Sequence, residues 1–543
     1  MIAALLAAAF TLAHPEGDPP RTPPRLAVLL VVDQMRADYL DRFRPILEHG
    51  LLRLCNRGLR FTNARHMHAI TNTAPGHATL STGAHPARHG IVANTLPDDE
   101  PGRFRAVTLD RKEHNLNREA PGHSPRDLLR DTLGDWLKAD RQGARVVALG
   151  YKARAAVLLG GWRPDVAVYA DPRTGEFTSS SYYARRQPAW ITAFNRARPA
   201  DALVGRRWEP HLSETQFRAA GTTPDAMPYE GRLGLGDPGD SAFPKEIRTV
   251  GDLVFSPLSD QRTLELAGAA LSACSLGADE TTDLLLISLS AADYIGHAYG
   301  PDSREVCDYY AWLDRALPDF FAELDRAAGV DRWMLVLSSD HGVNPVVERL
   351  LSQGLDAARV RKTRLLRDID RRLDQRFGAE DWVWAALPDV YLNRGAVEAR
   401  GIDLERARDE AIRAARSFRG LRDAYSHSRL ARGDSAIPLA FRLSFHPRRS
   451  GDLMLNFERH SHLDYLDSSP YVKATHATHH DDDQRVPMVF IGRDVPAGIR
   501  SEPFPTVDLA PTLASWIGVT PPDTRDTLDG RAHDLRGPAK DSR

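Results

Sequence analysis

Leu26–Gln34 reads LAVLLVVDQ. The run is apolar from Leu26 to Val32, rich in β-branched valine, with no polar residue at alternate positions. Such a run fits a strand buried on both faces, as in a parallel sheet covered on each side by helices. Its first charged residue is Asp33, at the carboxyl end, where open α/β sheets gather their ligands. Alone, that aspartate reads better as a solvated loop residue. The pattern recurs, however. TTDLLLISLSAADYIGHAYGP (281–301) runs into Asp293, with His297 four residues on, so one helical turn puts both on the same side. RWMLVLSSDHG (332–342) delivers Asp340 and His341. RVVALG (145–150) is a shorter run, and KATHATHHDDDQRVPMVFIG (473–492) places His476 ahead of a last apolar strand.

Helical patterns separate these runs. MRADYLDRFRPILEHGLLRLCNRG (35–58) ends at a glycine, and TVDLAPTLASWIG (506–518) reads as a closing helix. Strands alternating with helices predict an α/β fold of three layers around a mostly parallel sheet. Two stretches break the alternation. Residues 162–251 are aromatic, Pro-rich and charged, and 348–464 holds helical segments such as LERARDEAIRAARSF. Both are expected as insertions, the first as a cap beside the site. The catalytic unit is expected to span 26–535, after a signal peptide (1–13) and a Pro-rich linker (14–25), with a polar tail at 536–543. The signal reading rests on Ile2–Ala13, IAALLAAAFTLA, too short to cross a bilayer but suited to an exported leader. A periplasmic or secreted location follows, with no stable membrane insertion after cleavage.

With 543 residues, 42% hydrophobic and 27% charged, the chain is of globular type. Its 71 basic and 73 acidic residues leave a net charge of -2, which gives no support to a nucleic-acid or membrane-surface partner. Three cysteines allow at most one disulfide. The oligomeric state is not set by the sequence; a monomer is slightly favoured.

Chemistry enters at Ala69–Asn94, AITNTAPGHATLSTGAHPARHGIVAN. Thr73 sits in T-A-P-G-H, and Asn94 follows twenty-one residues later. A helix opening here would put Thr73 near its N-terminus, where backbone N–H groups favour an anion. His77, His85 and His89 read as structural, since none ends an apolar strand. Lys152 and Arg154, in YKARAAVLLGG, would share a face if the segment were extended, and two cations on one face can hold a phosphoryl group. Asp33, Asp293, His297, Asp340, His341 and His476, with the Thr73 oxygen, are enough ligands for two zinc ions. Such a pair can hold both the attacking and the leaving oxygen of a phosphoryl transfer.

These stretches carry a resemblance. VVDQMRADYL, TNTAPGH with GIVAN, GYKAR, GEFTSSSYY, ADYIGHAYGP, SSDHG and THATHHDDDQRVPMVFIG, in this order along nearly the whole chain, resemble the alkaline phosphatase superfamily. Within it the chain is most similar to bacterial phosphate monoesterases with a threonine nucleophile; the K-x-R pair together with the asparagine narrows the branch. The resemblance implies an alkaline-phosphatase-like fold and two Zn2+ per chain. Asp293, His297 and His476 would bind one, and Asp33, Asp340 and His341 the other, with Thr73 on the second. Thr73 would form a phosphothreonine, while Asn94, Lys152 and Arg154 hold the phosphoryl oxygens of small-molecule phosphate monoesters. His479 and His480 are competing candidates, and His476 is chosen because it follows a threonine and stands ten residues before the Val486-Pro487 strand start, as in the family pattern. A nucleotide pyrophosphatase/phosphodiesterase is the rival reading. A sulfatase lacks support, because Thr73-Ala-Pro-Gly-His offers neither the Cys or Ser precursor nor the arginine of that class.

Overall fold

The computed structural model describes residues 22–231, 241–386, 388–464, 472–521 and 528–536. The expected signal peptide and nearly all of the polar tail lie outside them.

Among the described residues, nine strands form the central sheet: β1 (Leu26–Val32), β2 (Leu59–Arg65), β3 (Val146–Gly150), β4 (Val166–Ala170), β5 (Phe177–Thr178), β6 (Asp283–Leu289), β7 (Trp333–Ser338), β8 (Met488–Gly492) and β9 (Gly498–Pro505). Their order is β9-β2-β8-β7-β1-β6-β3-β4-β5. β1 lies at the centre, parallel to β6 and β7; β8 and β5 run antiparallel to their neighbours. Leu26 is paired with Asp283 on one side and Trp333 on the other, so β1, β6 and β7 end nearly level. That register brings Asp33, Asp293 and Asp340 together at the carboxyl end of the sheet.

The unbroken apolar character of β1 has a direct cause. Leu26, Val28, Leu30 and Val32 join one core with residues of the helices Pro257–Ala273 and Arg304–Ala328. Ala27, Leu29 and Val31 join the other, with residues of Leu133–Asp140, Ala153–Gly160 and Leu509–Ile517. Successive side chains of a strand point to opposite faces, and here both faces are covered. Each buried Leu or Val contributes about 1.5–3 kcal/mol, so a polar residue on either face is costly.

One boundary differs from expectation. β4 and β5 fall inside 162–251, yet they extend the central sheet. VAVYA is a buried strand too short to stand out among charged neighbours. Other apolar residues of that stretch, including Ile191, Phe194, Trp208 and Phe217, join the core on the Leu26 face. Residues 348–464 hold a separate four-stranded antiparallel sheet, backed by the helices Lys362–Phe377 and Leu404–Arg416 around buried Trp382, Val390 and Leu455. Cys55, Cys274 and Cys307 are free thiols. Among the described residues, no helix is long and apolar enough to cross a membrane.

Candidate active site

Three helices start at the carboxyl edge of the sheet: α1 (Thr73–Thr82), α2 (Ala153–Gly160) and α3 (Ala291–Tyr299). Thr73 is the first residue of α1 and is buried. Pro75 sits in the first turn, where a backbone N–H would lack an intrahelical partner, so proline is tolerated there. Gly83, with φ 64°, ends the helix in the left-handed conformation that glycine adopts freely. The Ala74 N–H donates to Asn94 Oδ1 at 2.8 Å, which ties the asparagine to the start of α1. Arg154 Nη2 lies 3.4 Å from Thr73 Oγ1.

Lys152 and Arg154 do not form an extended pair. Lys152 is the N-cap of α2 and Arg154 lies in its first turn, because ARAAVLLG is rich in helix formers. Lys152 Nζ donates to Asp33 Oδ2 at 2.6 Å and to Asp293 Oδ2 at 2.5 Å. Its ammonium also lies 4.9 Å from the centre of the Tyr294 ring.

The acids and histidines converge. Asp293, His297 and His476 each bring one ligand atom within 4.8 Å of the others, as do Asp33, Asp293 and His341. Asp293 therefore belongs to both triads, a sharing that differs from the division implied by resemblance. Asp340 stands beside them, its Oδ2 3.4 Å from His341 Nε2. Each histidine is aimed by a backbone carbonyl on Nδ1: Ala474 for His297, Gly342 for His341 and Thr71 for His476, at 2.7, 2.9 and 2.7 Å. Nδ1 carries the proton and Nε2 presents its lone pair to the cluster, the arrangement that orients metal-ligating histidines. His341 and His476 stack, with ring centres 3.7 Å apart. His480 is engaged elsewhere, through Nε2 on the Phe457 carbonyl, and His479 packs against Phe441 and His480.

Burial and the neighbouring Asp340 carboxylate hold Asp33 well above the ordinary aspartate range. For Asp293, burial pushes the same way, but Lys152 and then His297 bring it well below. Burial lowers both His341 and His476, which keeps them neutral. Burial also acts to lower Lys152, but Asp293 and Asp33 hold it above the usual lysine range, so it stays charged. One ammonium stands among three buried acids, so full ionisation of the set is uncompensated, in keeping with the raised Asp33. Asp33 Oδ1, Asp340 Oδ2 and His341 Nε2 are buried without a hydrogen-bond partner. Orphaned acceptors in a mixed histidine and carboxylate set fit a pair of divalent cations, zinc above the harder ions.

Sequence reasoning missed several contributors. Gln34 donates from Nε2 to Asp293 Oδ1 at 2.7 Å, and its backbone N–H reaches Asp340 Oδ1 at 3.2 Å. His77, expected as structural, is not among the converging triads; its Nδ1 is 2.8 Å from the Thr73 carbonyl oxygen and 3.2 Å from Asp340 Oδ2. Asp483 Oδ2 accepts from the Thr478 N–H and hydroxyl and from Asn344 Nδ2, bracing the loops that carry His476 and His341. None of these is an acid that follows an apolar run, the signal that singled out Asp33, Asp293 and Asp340.

Residues 27–482 match the type I phosphodiesterase / nucleotide pyrophosphatase family. The chain is 30% identical over 510 residues to alkaline phosphatase PafA of Elizabethkingia meningoseptica, covering 91% of this chain and 92% of that one. It is 30% identical over 516 residues to alkaline phosphatase PhoV of Synechococcus elongatus, covering 92% and 91%. The crystal structure of wild-type PafA matches with a TM-score of 0.85 at 29% identity, over 92% of this chain and 97% of that chain.

Proposed function

The chain belongs to the type I phosphodiesterase / nucleotide pyrophosphatase family, in the alkaline phosphatase superfamily, and from that premise we propose that it is an alkaline phosphatase hydrolysing small phosphate monoesters. The observation that carries the reading is the Thr73 hydroxyl at the mouth of α1, with Arg154 3.4 Å away and a buried Asp/His cluster beside it. The two relatives above bear the name alkaline phosphatase.

In this reading Asp33, Asp340 and His341, together with Asp293, His297 and His476, would hold two Zn2+, which would supply Lewis acidity to the phosphoryl transfer. Thr73 Oγ1 attacks phosphorus as the bond to the alcohol oxygen breaks; the phosphoryl group passes to the threonine, and the proton lost from the hydroxyl is balanced by one gained by the departing alcohol. Water then attacks the phosphothreonine, releasing phosphate and restoring the hydroxyl. Arg154 holds a phosphoryl oxygen by charge-assisted hydrogen bonds. The amide of Asn94, whose oxygen is occupied by Ala74, donates to another. Lys152 adds positive charge without needing to leave the carboxylates. The Arg154 and Lys152 charges suit a dianionic monoester better than a monoanionic diester, which sets the phosphodiesterase reading second. Export to the periplasm or medium belongs to the same proposal and rests on Ile2–Ala13.

Turnover of a chromogenic phosphate monoester beside its matched diester tests the assignment, with kcat/KM expected to favour the monoester. Thr73→Ala should lower kcat by at least about 1000-fold with little change in Tm. Acid-quenched wild-type enzyme should carry phosphate on Thr73. Diester preference in the wild type, or phosphate on another residue, would overturn the reading.

A further inference from the structure

Gln34 connects all three carboxylates of the site. It follows Asp33 directly, its N–H donates to Asp340 Oδ1 at 3.2 Å, and its side-chain amide donates to Asp293 Oδ1 at 2.7 Å. It is 2% exposed and has φ 68°, a left-handed conformation that residues other than glycine rarely adopt. Such strain persists only where the surroundings over-determine it, and it concentrates at functional sites. The opposite side of the same amide explains a second oddity. Gly296 lies inside α3, where glycine weakens a helix. A Cβ on Gly296 would stand 1.9 Å from Gln34 Oε1. The amide cannot simply swing aside, because its nitrogen is committed to Asp293.

We propose that Gln34 is a positioning residue for the two-cation site and that Gly296 is small to leave room for its side chain; the inference rests on the phosphatase reading above. The strained peptide at position 34 sets the direction of Asp33. The amide fixes the plane of Asp293, the carboxylate shared by both ligand triads. A neutral donor does this without adding charge to an already acidic cluster, which glutamate at position 34 would do.

The test withdraws Zn2+ from the holoenzyme with a chromophoric chelator and reads both dissociation constants, with Tm alongside. Gln34→Ala should weaken at least one ion by about tenfold or more. Gly296→Ala should do the same by displacing the amide. The double variant should be no weaker than the worse single within about twofold, because both changes remove one interaction. Gln34→Gly, which keeps the backbone conformation without strain, should weaken binding like Gln34→Ala, and it provides the measurement should Gly296→Ala fail to fold. Wild type binding two ions, with Gln34→Ala and Gln34→Gly binding them equally well, sinks this inference alone. Losses that multiply in the double variant refute the shared-space argument. A wild type that takes up no Zn2+ removes the two-cation reading and this inference with it.

Discussion

Lys152 is surrounded by the site it is proposed to serve. Asp33 and Asp293 take two of its N–H donors, and the Tyr294 ring, packed edge-on against Phe255, lies against it. A buried ammonium so placed offsets like charges that would otherwise repel, so its removal leaves carboxylates uncompensated. Lys152→Ala is therefore expected to lower kcat/KM for the monoester by roughly 100-fold and for the matched diester by less. Arg154→Ala should erode the same preference, and the double variant should fall short of the product of the two effects because both act on one phosphoryl group. An unchanged monoester preference in all three variants would remove these residues from phosphoryl binding.

α1 and the loop after β7 meet with no room to spare. A Cβ on Gly76 would lie 2.2 Å from the Asp340 carbonyl oxygen, a backbone atom that cannot rotate away. The glycine of T-A-P-G-H is thus explained by close approach, not by an unusual backbone angle. Gly76→Ala should push α1, and Thr73 with it, away from Asp340. We expect a stability loss of about 1–3 kcal/mol from overpacking and a loss of kcat/KM that persists at temperatures where the variant is fully folded. Full activity in the folded variant would show that Thr73 tolerates displacement. Elements also explain why Lys152 and Arg154 were expected extended and are not. Consecutive parallel strands need a crossover connection, usually a helix, and α2 begins as soon as β3 ends.

In the whole molecule, the carboxyl end of the sheet collects carboxylates from three separate strand ends, at a cost that the proposed cations would offset. Chelation should abolish turnover and lower Tm, and added Zn2+ should restore both; full turnover by metal-free protein would end the proposed mechanism. The sequence by itself marked the central strands of the sheet and the three aspartates, Asp33, Asp293 and Asp340, that follow them. Burial on both faces writes an unbroken apolar run, and the first polar residue after such a run must lie at the edge. It also marked 348–464 as separate from that alternation. Only the tertiary structure decided that Asp293 lies in both groups of converging ligand atoms and that β4 and β5 extend the sheet. It alone supplied the carbonyls of Thr71, Gly342 and Ala474 that aim the histidines, and the reach of Gln34 to Asp293. The physical reason is that backbone carbonyls are identical in every residue, and a contact across 259 positions, such as Gln34 to Asp293, leaves no periodic trace in either segment.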